Sequence, residues 1–449
     1  MASAAEQLAA NLSWSTFGKA KELQSRILFT LGLLIVYRLG TYIPMPGIDP
    51  EQLARFIEQT QGGILGVFNM FAGGAVGRMA IFALGIMPYI SASIIMQLMT
   101  SMVPHLEQLK KEGEQGRKKI NQYTRYGTVL LATVQAYGIS VGLEGQGLAL
   151  DPGMFFRASA VITLVGGTMF LMWLGEQITA RGVGNGISLI IYIGIVAELP
   201  AALAQFFELG RTGQLSAIVI IGVLIGAIAV IAGVVYIERA QRRILIQYPK
   251  RQVGQKMYGG DTSHLPLKVN TAGVIPPIFA SSLLLMPLTI SQFAGQRVAG
   301  ESRWGDIVIT LNQYLQHGSP VYMLLYGAGI IFFSFFYTAV VFNPEETADN
   351  LKRYGGFIPG IRPGKNTELY FDYVLTRITV IGAAYLAIIC LLPEYLVSAL
   401  SIPFYLGGTS LLIVVNVTMD TVTQIQSHLL AHQYGDLIKK AKLKGGRLR

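Results

Sequence analysis

Few residues in this chain have the types and spacing that catalysis or metal binding requires. The sequence contains no HExxH zinc motif, no GxxxxGK[ST] phosphate loop and no GxSxG nucleophile elbow. His428 and His432 are four residues apart and could share a metal on one helix face, but a solvated helix end is the favoured interpretation. These patterns predict a protein that is not an enzyme and needs no cofactor or metal.

A run of glycines at Gly182, Gly184 and Gly186 has spacing reminiscent of a dinucleotide-binding loop. That loop requires a preceding strand and a following helix in a βαβ unit. Here the glycines open an apolar stretch and follow no predicted strand. Nucleotide binding is therefore not predicted.

The composition is that of a chain surrounded by lipid. Of the 449 residues, 52% are hydrophobic and 13% are charged, with a mean hydropathy of +0.49, which is too apolar for a soluble domain to cover its own surface. About 20 apolar residues are needed to cross a bilayer core as a helix. Ten stretches approach or exceed that length, and they predict ten spans at 27–43, 79–103, 126–143, 158–175, 182–197, 212–237, 269–296, 321–342, 378–393 and 395–419.

The basic residues are sorted by side. With a cytoplasmic N-terminus, 28 of the 35 Lys and Arg residues fall on the cytoplasmic side of a ten-span chain. This excess obeys the positive-inside rule and predicts that both termini are cytoplasmic. Two long basic loops lie on that side, at 238–270 and 343–376, and the alternation in QRRILIQYPKRQ predicts a projecting hairpin in the first. A basic hairpin suits docking to an acidic or nucleic-acid surface.

Ten spans divide into two halves of five that run in opposite directions, as in an inverted repeat. The predicted units are a cytoplasmic segment 1–26, a first half 27–200, a second half 212–425 and a basic tail 426–449.

The second element of each half is irregular. The segment 62–77 is a short apolar piece between glycines, and Pro276, Pro277 and Pro287 interrupt the seventh span. Irregular backbone at membrane depth must be covered by protein or line a water-filled cavity. We therefore predict that 62–77 is a re-entrant half-helix beside a cavity, with close packing of small residues as the alternative.

Ionisable residues are scarce in the middle of the predicted spans. Ion-coupled transporters need such residues there to bind the coupling ion. Arg38 lies near the outer end of the first span and is expected to extend to the interface. A channel is therefore favoured, with a secondary transporter of inverted-repeat fold as the alternative.

Longer matches point to a family. They include PMPGID at 44–49, FNMFAGGA at 68–75, IFALGIMPYISASIIMQL at 81–98, GTMFLMWLGEQIT at 167–179, HLPLKVN at 264–270, FNPEETADNLK at 342–352, PGIRPG at 359–364 and PFYLGGTSLLIVV at 403–415. Through them the chain resembles the SecY family of bacterial protein-conducting channel subunits from end to end. The resemblance implies an all-α membrane protein whose ten transmembrane helices form two inverted five-helix halves around a central hourglass pore.

The resemblance also assigns roles to sets of residues. It implies a plug half-helix at 63–71, with Gly63, Ile64, Leu65, Val67, Phe68, Asn69, Met70 and Phe71. The waist of the pore is a ring of Ile86, Ile90, Ile191, Ile278 and Ile413. A lateral gate opens between the second and seventh spans, near Ser91, Gln97, Asn270 and Met286. The basic loops dock a ribosome or motor through Arg242, Arg243, Lys250, Arg251, Lys256 and Arg362.

The implied function is to pass unfolded secretory polypeptides across the bacterial inner membrane and to release apolar signal sequences sideways into membrane lipid. The implied partners are the SecE and SecG membrane subunits, the SecA ATPase and the ribosome, with no direct DNA binding. Two positions depart from the family pattern: Gln255 and Lys256 replace two arginines, and Met286 replaces a phenylalanine. We expect altered docking contacts at the first and altered gate packing at the second.

Overall fold

A computed structural model describes residues 20–53, 55, 69, 72–213, 216–249, 251–253, 256–258, 262–284, 314, 319–400 and 408–445. Its helices are α1 Lys21–Gly40, α2 Met87–Met102, α3 Pro104–Lys111, α4 Glu114–Gly145, α5 Met154–Arg181, α6 Gly186–Arg211, α7 Ala217–Arg239, α8 Ile275–Leu284, α9 Pro320–Val341, α10 Pro344–Arg353, α11 Lys365–Leu400 and α12 Gly408–Gly445. Four strands lie between α7 and α8: β1 Gln241–Gln247, β2 Arg251–Val253, β3 Lys256–Tyr258 and β4 Thr262–Lys268. The chain is an all-α membrane protein in which four short strands lie between α7 and α8.

Seven of the described helices are long and apolar enough to cross a membrane, namely α1, α4, α5, α6, α7, α9 and α11. The other three predicted spans correspond to α2, which has 16 residues, to the short apolar helix α8, and to α12, which mixes apolar with polar residues. The architecture is therefore consistent with the predicted ten spans.

Helix contacts in the two halves correspond. In the first half α1 packs on α6, α4 on α5, and α5 on α6; in the second half α7 packs on α12, α9 on α11, and α11 on α12. These are the same pairs when the five spans of each half are numbered in order. The halves meet where α6 contacts α7 and α12, and where α1 contacts α12.

The second span is helical over only part of its length. The apolar stretch begins at residue 79, but α2 begins at Met87. Residues 72–86 form consecutive turns and are almost entirely buried. Gly73, Gly74 and Gly85 have φ angles of +64°, +79° and +57°, which glycine adopts without steric cost. The turns at these glycines delay the start of the helix.

The prolines of the seventh span mark where its helix begins. Pro276 and Pro277 lie in the first turn of α8, inside the predicted span 269–296. The first turn tolerates proline because its N–H groups have no partner within the helix. The two residues thus interrupt the span at its helix start, and Pro287 lies outside the described residues.

The predicted hairpin in the loop 238–270 is confirmed. β1 and β4 pair antiparallel from Gln241 opposite Lys268 to Gln247 opposite Thr262, and β2 and β3 form a second antiparallel pair beyond them. In β1 the inward residues Ile244 and Ile246 are buried and the arginines are exposed. Apolar and polar residues alternate in β1 because its successive side chains face the protein interior and the solvent in turn.

The second long loop, 343–376, is largely helical, which corrects its prediction as a loop. The Asn343 side chain accepts hydrogen bonds from the backbone N–H groups of Glu345 and Glu346 at 3.1 and 3.4 Å, and Pro344 opens α10. Both features favour a helix start. α11 then begins at Lys365, so the loop shrinks to residues 354–364. Likewise, α12 continues through 426–445, so most of the predicted tail extends the tenth span.

Candidate functional site

The five isoleucines of the predicted ring lie in one apolar cluster. Ile86, Ile90, Ile191 and Ile413 expose only 4%, 6%, 5% and 1% of their surface, and the partly buried Ile278 packs against the same cluster. They come from α2 and its N-cap, α6, α8 and α12, and therefore from both halves. The family resemblance predicts that these residues line the neck of the pore, where aliphatic side chains exclude water and ions by dewetting and offer no hydrogen bonds to a passing chain.

Local sequence explains how these isoleucines are positioned. The turn at Gly85 places Ile86 at the N-cap of α2, and Ile90 follows one helical turn later on the same face. In α6, the Asn185 side chain accepts from the backbone N–H groups of Ile187 and Ser188 at 3.1 and 3.4 Å. This cap fixes the helix start and puts Ile191 in its second turn.

α2 and α8, which carry the predicted gate, touch each other. The Ser282 hydroxyl of α8 lies 3.9 Å from the Met87 sulfur of α2, and both side chains are buried. Of the predicted gate residues on α2, Ser91 is buried one turn beyond Met87. Gln97 is half-buried, and its side-chain oxygen lacks a hydrogen-bond partner among the described residues. Met286 lies outside the described residues.

The third described gate residue, Asn270, is bound to a residue that sequence reasoning missed. Its amide nitrogen donates to the Glu238 carboxylate at 2.6 Å and to the Gly273 carbonyl at 3.1 Å. Asn270 therefore pairs with Glu238, at the end of α7, and not with Ser91 or Gln97 among the described contacts. A carboxylate in the last turn of an otherwise apolar span was the sequence signal that could have revealed this partner.

Two arginines hold the segment that follows the predicted plug. Arg38 of α1 donates to the Gly73 carbonyl at 2.7 Å, and Arg78 donates to the same oxygen at 3.0 Å. Both guanidinium groups also lie over the ring of Tyr42, at 4.9 and 4.2 Å from its centroid. We call these two arginines and Gly73 the arginine anchor. Arg38 lies in the last turn of α1 with a partly exposed side chain, and its reach to the membrane interface stays a prediction.

Glu198 of α6 supplies the countercharge to the arginine anchor. Its carboxylate lies 3.7 Å from Arg38 and 3.8 Å from Arg78. Space is tight, because a Cβ at Gly74 would lie 2.4 Å from both the Arg78 guanidinium and the Glu198 carboxylate. This geometry joins the last turn of α1 and the middle of α6 to residues 73–78.

Asn69 is the single residue of the predicted plug that the structure describes. Its side-chain oxygen accepts from the Gly77 N–H at 2.6 Å, and its carbonyl accepts from the Gly74 N–H at 2.8 Å. Both donors, Gly74 and Gly77, belong to residues 73–78, the segment that the arginine anchor contacts. Gly63, Ile64, Leu65, Val67, Phe68, Met70 and Phe71 lie outside the described residues.

The two predicted docking loops form one body, which we call the platform and define as residues 241–268 and 343–364. Gln247 and Phe357 exchange two backbone hydrogen bonds of 2.9 Å. Beneath them, an apolar cluster joins Ile244 and Leu267 of the hairpin to Ala348 of α10 and to Ile358. The hairpin therefore presents its basic residues on a fixed base.

Three docking arginines, Arg242, Arg243 and Arg362, are exposed on the platform. The backbone carbonyl of Arg362 accepts a 3.0 Å hydrogen bond from the Thr367 hydroxyl, which fixes its loop against α11. Arg251 and Lys256 lie on β2 and β3 near the hairpin tip, while Lys250 and Gln255 lie outside the described residues. The exposed arginines give the platform a basic surface suited to an anionic partner.

α3 carries further basic residues. Its Lys111 ammonium binds Glu107 at 2.7 Å, and this hydrogen bond lowers the pKa of the exposed Glu107 carboxyl.

The membrane-length helices, the apolar cluster shared by the two halves and the basic platform are together typical of a polytopic α-helical channel. A family model described as SecY matches residues 80–422. The chain is 58% identical to the protein translocase subunit SecY of Rickettsia conorii over 94% of its length and 97% of the relative. It is 58% identical to that of Pseudomonas aeruginosa, covering 97% of both chains, and 55% identical to that of Escherichia coli K12, covering 96% and 97%.

Solved structures with the same fold include a protein-conducting channel, with a TM-score of 0.62, 18% identity, and 90% and 92% of the two chains covered. Sec61 in a canine ribosome–channel complex gives a TM-score of 0.59, 17% identity and the same coverage. The chain belongs to the SecY family.

Proposed function

We propose that this chain is the central subunit of a protein-conducting channel in the bacterial inner membrane, and that unfolded secretory polypeptides cross through it. The observation that carries the proposal is that Ile86, Ile90, Ile191, Ile278 and Ile413, which come from both halves, belong to one apolar cluster. A solute transporter holds its substrate through polar groups at the midplane. An aliphatic neck holds nothing, and it seals against ions when empty.

The gate proposal rests on the contact between α2 and α8. Separation of Met87 from Ser282 opens the neck sideways toward lipid between the second and seventh spans. An apolar signal sequence then leaves the pore because its transfer into hydrocarbon is favourable. The contact is weak, since sulfur is a poor hydrogen-bond acceptor, and this weakness suits a gate that must open.

The plug proposal rests on the arginine anchor. Residues 63–71 close the outer side of the pore in the resting channel, and the anchor holds the return segment that leads from them to α2. Displacement of the plug then requires movement about a fixed point at Gly73.

The proposed partners follow from the platform and from the family. The ribosome or the SecA ATPase docks on Arg242, Arg243 and Arg362 and supplies the energy for translocation, because the sequence contains no nucleotide-binding motif of its own. SecE and SecG accompany the chain in the membrane. Both termini lie in the cytoplasm, on the platform side.

Ion conductance of the purified channel in planar bilayers tests the proposal, with the intact chain and with residues 63–71 deleted. The intact chain is expected to be silent and the deletion to conduct in large fluctuating steps. A substitution control, Arg211→Ala on the exposed end of α6, is expected to stay silent. If neither form conducts and a small solute is exchanged instead, the transporter function replaces the channel.

A further inference from the structure

Glu238 occupies an unusual position on its helix. α7 has 23 residues, and its only buried side chains are Val234 and Glu238. They are four residues apart and so share one helix face. An acidic side chain that is only 8% exposed in a membrane span carries a cost unless it is paired. Glu238 is therefore one of the two most buried points of α7, beside Val235 and Ile237, which pack against the core while partly buried.

The Glu238–Asn270 bond closes the base of the docking hairpin. The last strand pair joins Gln241 to Lys268, and the Val269 N–H then donates to the Ala240 carbonyl at 3.0 Å. The 2.6 Å side-chain bond follows as the next cross-connection toward the membrane. If the hairpin moves relative to the membrane helices, the Glu238–Asn270 hydrogen bond is therefore the first side-chain bond beyond the strands that the movement disturbs.

Asn270 also connects Glu238 to the turn that precedes α8, the gate helix. Its side chain both accepts from the Gly273 N–H and donates to the Gly273 carbonyl, each at 3.1 Å. These bonds fix the turn that leads into α8, where Ile278 of the neck and Ser282 of the gate contact lie within three helical turns. Asn270 thus joins Glu238 to the first turn of the gate helix.

Two further donors stand beside the carboxylate. The Asn416 amide of α12 and the Tyr385 hydroxyl of α11 lie next to Glu238. Neither group, however, makes a hydrogen bond of good geometry among the described residues. Gly382 of α11 permits the close approach, because a Cβ there would lie 2.8 Å from the Val269 carbonyl. A small shift of Glu238 would exchange its Asn270 partner for these donors.

We propose that Glu238 is a positioning residue of the lateral gate, which it holds closed through its hydrogen bond to Asn270 and releases when the docking hairpin moves. In the resting channel the bond fixes the first turn of α8 against α7, α11 and α12. Docking on the platform shifts the hairpin base, Glu238 turns to Asn416 and Tyr385, and α8 is freed from α2. This inference rests on the proposed channel function and adds the link between platform and gate.

A disulfide trap across the gate tests the inference. Met87→Cys and Ser282→Cys are combined with Cys390→Ala in the full chain, and the rate of cross-linking by a brief oxidant is measured in membranes. Glu238→Ala is expected to lower that rate about tenfold, the scale of one charge-assisted hydrogen bond. Glu238→Gln, which keeps an acceptor oxygen, is expected to fall between Glu238→Ala and the wild type. Glu208→Ala, at the exposed end of α6, is the matched control.

A paired substitution separates this role from simple destabilisation. Asn270→Asp places two acceptors against each other and is expected to slow cross-linking. Adding Glu238→Gln restores a donor and an acceptor and is expected to recover the rate. In the same membranes, Glu238→Ala should raise transport of a precursor with a weakened signal sequence relative to an intact one, whereas misfolding would reduce both.

The inference is overturned if Glu238→Ala leaves the cross-linking rate within twofold of wild type, or if the double variant is no better than Asn270→Asp. If instead the unsubstituted channel fails to transport the intact precursor, the proposed channel function itself fails. The two failures are therefore distinguishable in one series.

Discussion

Replacing Arg38 with alanine tests whether the arginine anchor helps seal the channel. The change removes the 2.7 Å hydrogen bond to the Gly73 carbonyl, the bond to the Tyr42 hydroxyl and the ion pair with Glu198. Arg78 keeps its own bond to Gly73. The segment therefore loses part of its attachment while the fold around it persists.

The size of the effect follows from these contacts. A hydrogen bond from a charged donor contributes about 1.5–3 kcal/mol, and the Arg38 side chain is 27% exposed, which weakens its interactions through solvent screening. We expect a net loss of about 1–2 kcal/mol from the anchored state. That loss raises the ratio of released to anchored segment roughly 5- to 30-fold.

Single-channel recording in planar bilayers measures this ratio as the fraction of time spent conducting. Arg38→Ala is expected to raise that fraction by the same factor, and Arg38→Lys by less, because one ammonium cannot reproduce the forked contacts of a guanidinium. Arg211→Ala is the matched control, since that side chain is 80% exposed and pairs with Glu208 on the same helix. An Arg38→Ala channel as silent as wild type, with unchanged thermal stability, would refute the link between the anchor and the seal.

Three further predictions concern the neck, the fold and the platform. Ile413→Ser puts a hydroxyl among apolar side chains at a position only 1% exposed, so ion leakage should rise severalfold in vesicle flux assays; unchanged leakage would contradict the assigned ring. Glu144→Gln removes the charge of a carboxylate that is 2% exposed and bonds Arg157 at 2.6 Å. It should lower the stability measured by detergent unfolding, by less than the loss of a fully buried pair because solvent screens Arg157; unchanged stability would contradict a structural role for the pair. Arg362→Glu should abolish docking of the ribosome or motor in a binding assay while leaving membrane insertion intact, and Lys118→Glu, on α4, should bind normally.

Much of the architecture could be predicted from the sequence because lipid imposes simple rules. Apolar length predicts the spans, whereas the sidedness that follows from the sorting of Lys and Arg stays a prediction. The two-residue alternation around Ile244 and Ile246 gave the hairpin. One local signal was overlooked: the helix α10 was not predicted, although Asn343 and Pro344 form a recognisable helix start.

The internal contacts of the site could not be predicted in the same way. Family resemblance selected the five isoleucines, but nothing in their spacing distinguishes them from lipid-facing isoleucines. The partners of Asn270 and Arg38 lie 32 and 35 residues away along the chain. Such pairings depend on how helices pack, and one sequence carries little information about that packing.

The non-helical stretch before α2 has a consequence for how the chain assembles. The backbone of 72–86 is satisfied partly by distant residues: the Met45 N–H donates to the Met79 carbonyl at 2.8 Å, and the Ile81 N–H donates to the Ile43 carbonyl at 3.0 Å. Gly167 of α5 leaves room for the Ile81 carbonyl, since a Cβ there would lie 2.1 Å from that oxygen. Hydrocarbon cannot replace these contacts. Residues 43 and 45 precede the second span along the chain, so during synthesis these hydrogen bonds can form before the fourth span exists, and the close contact at Gly167 is added only afterwards.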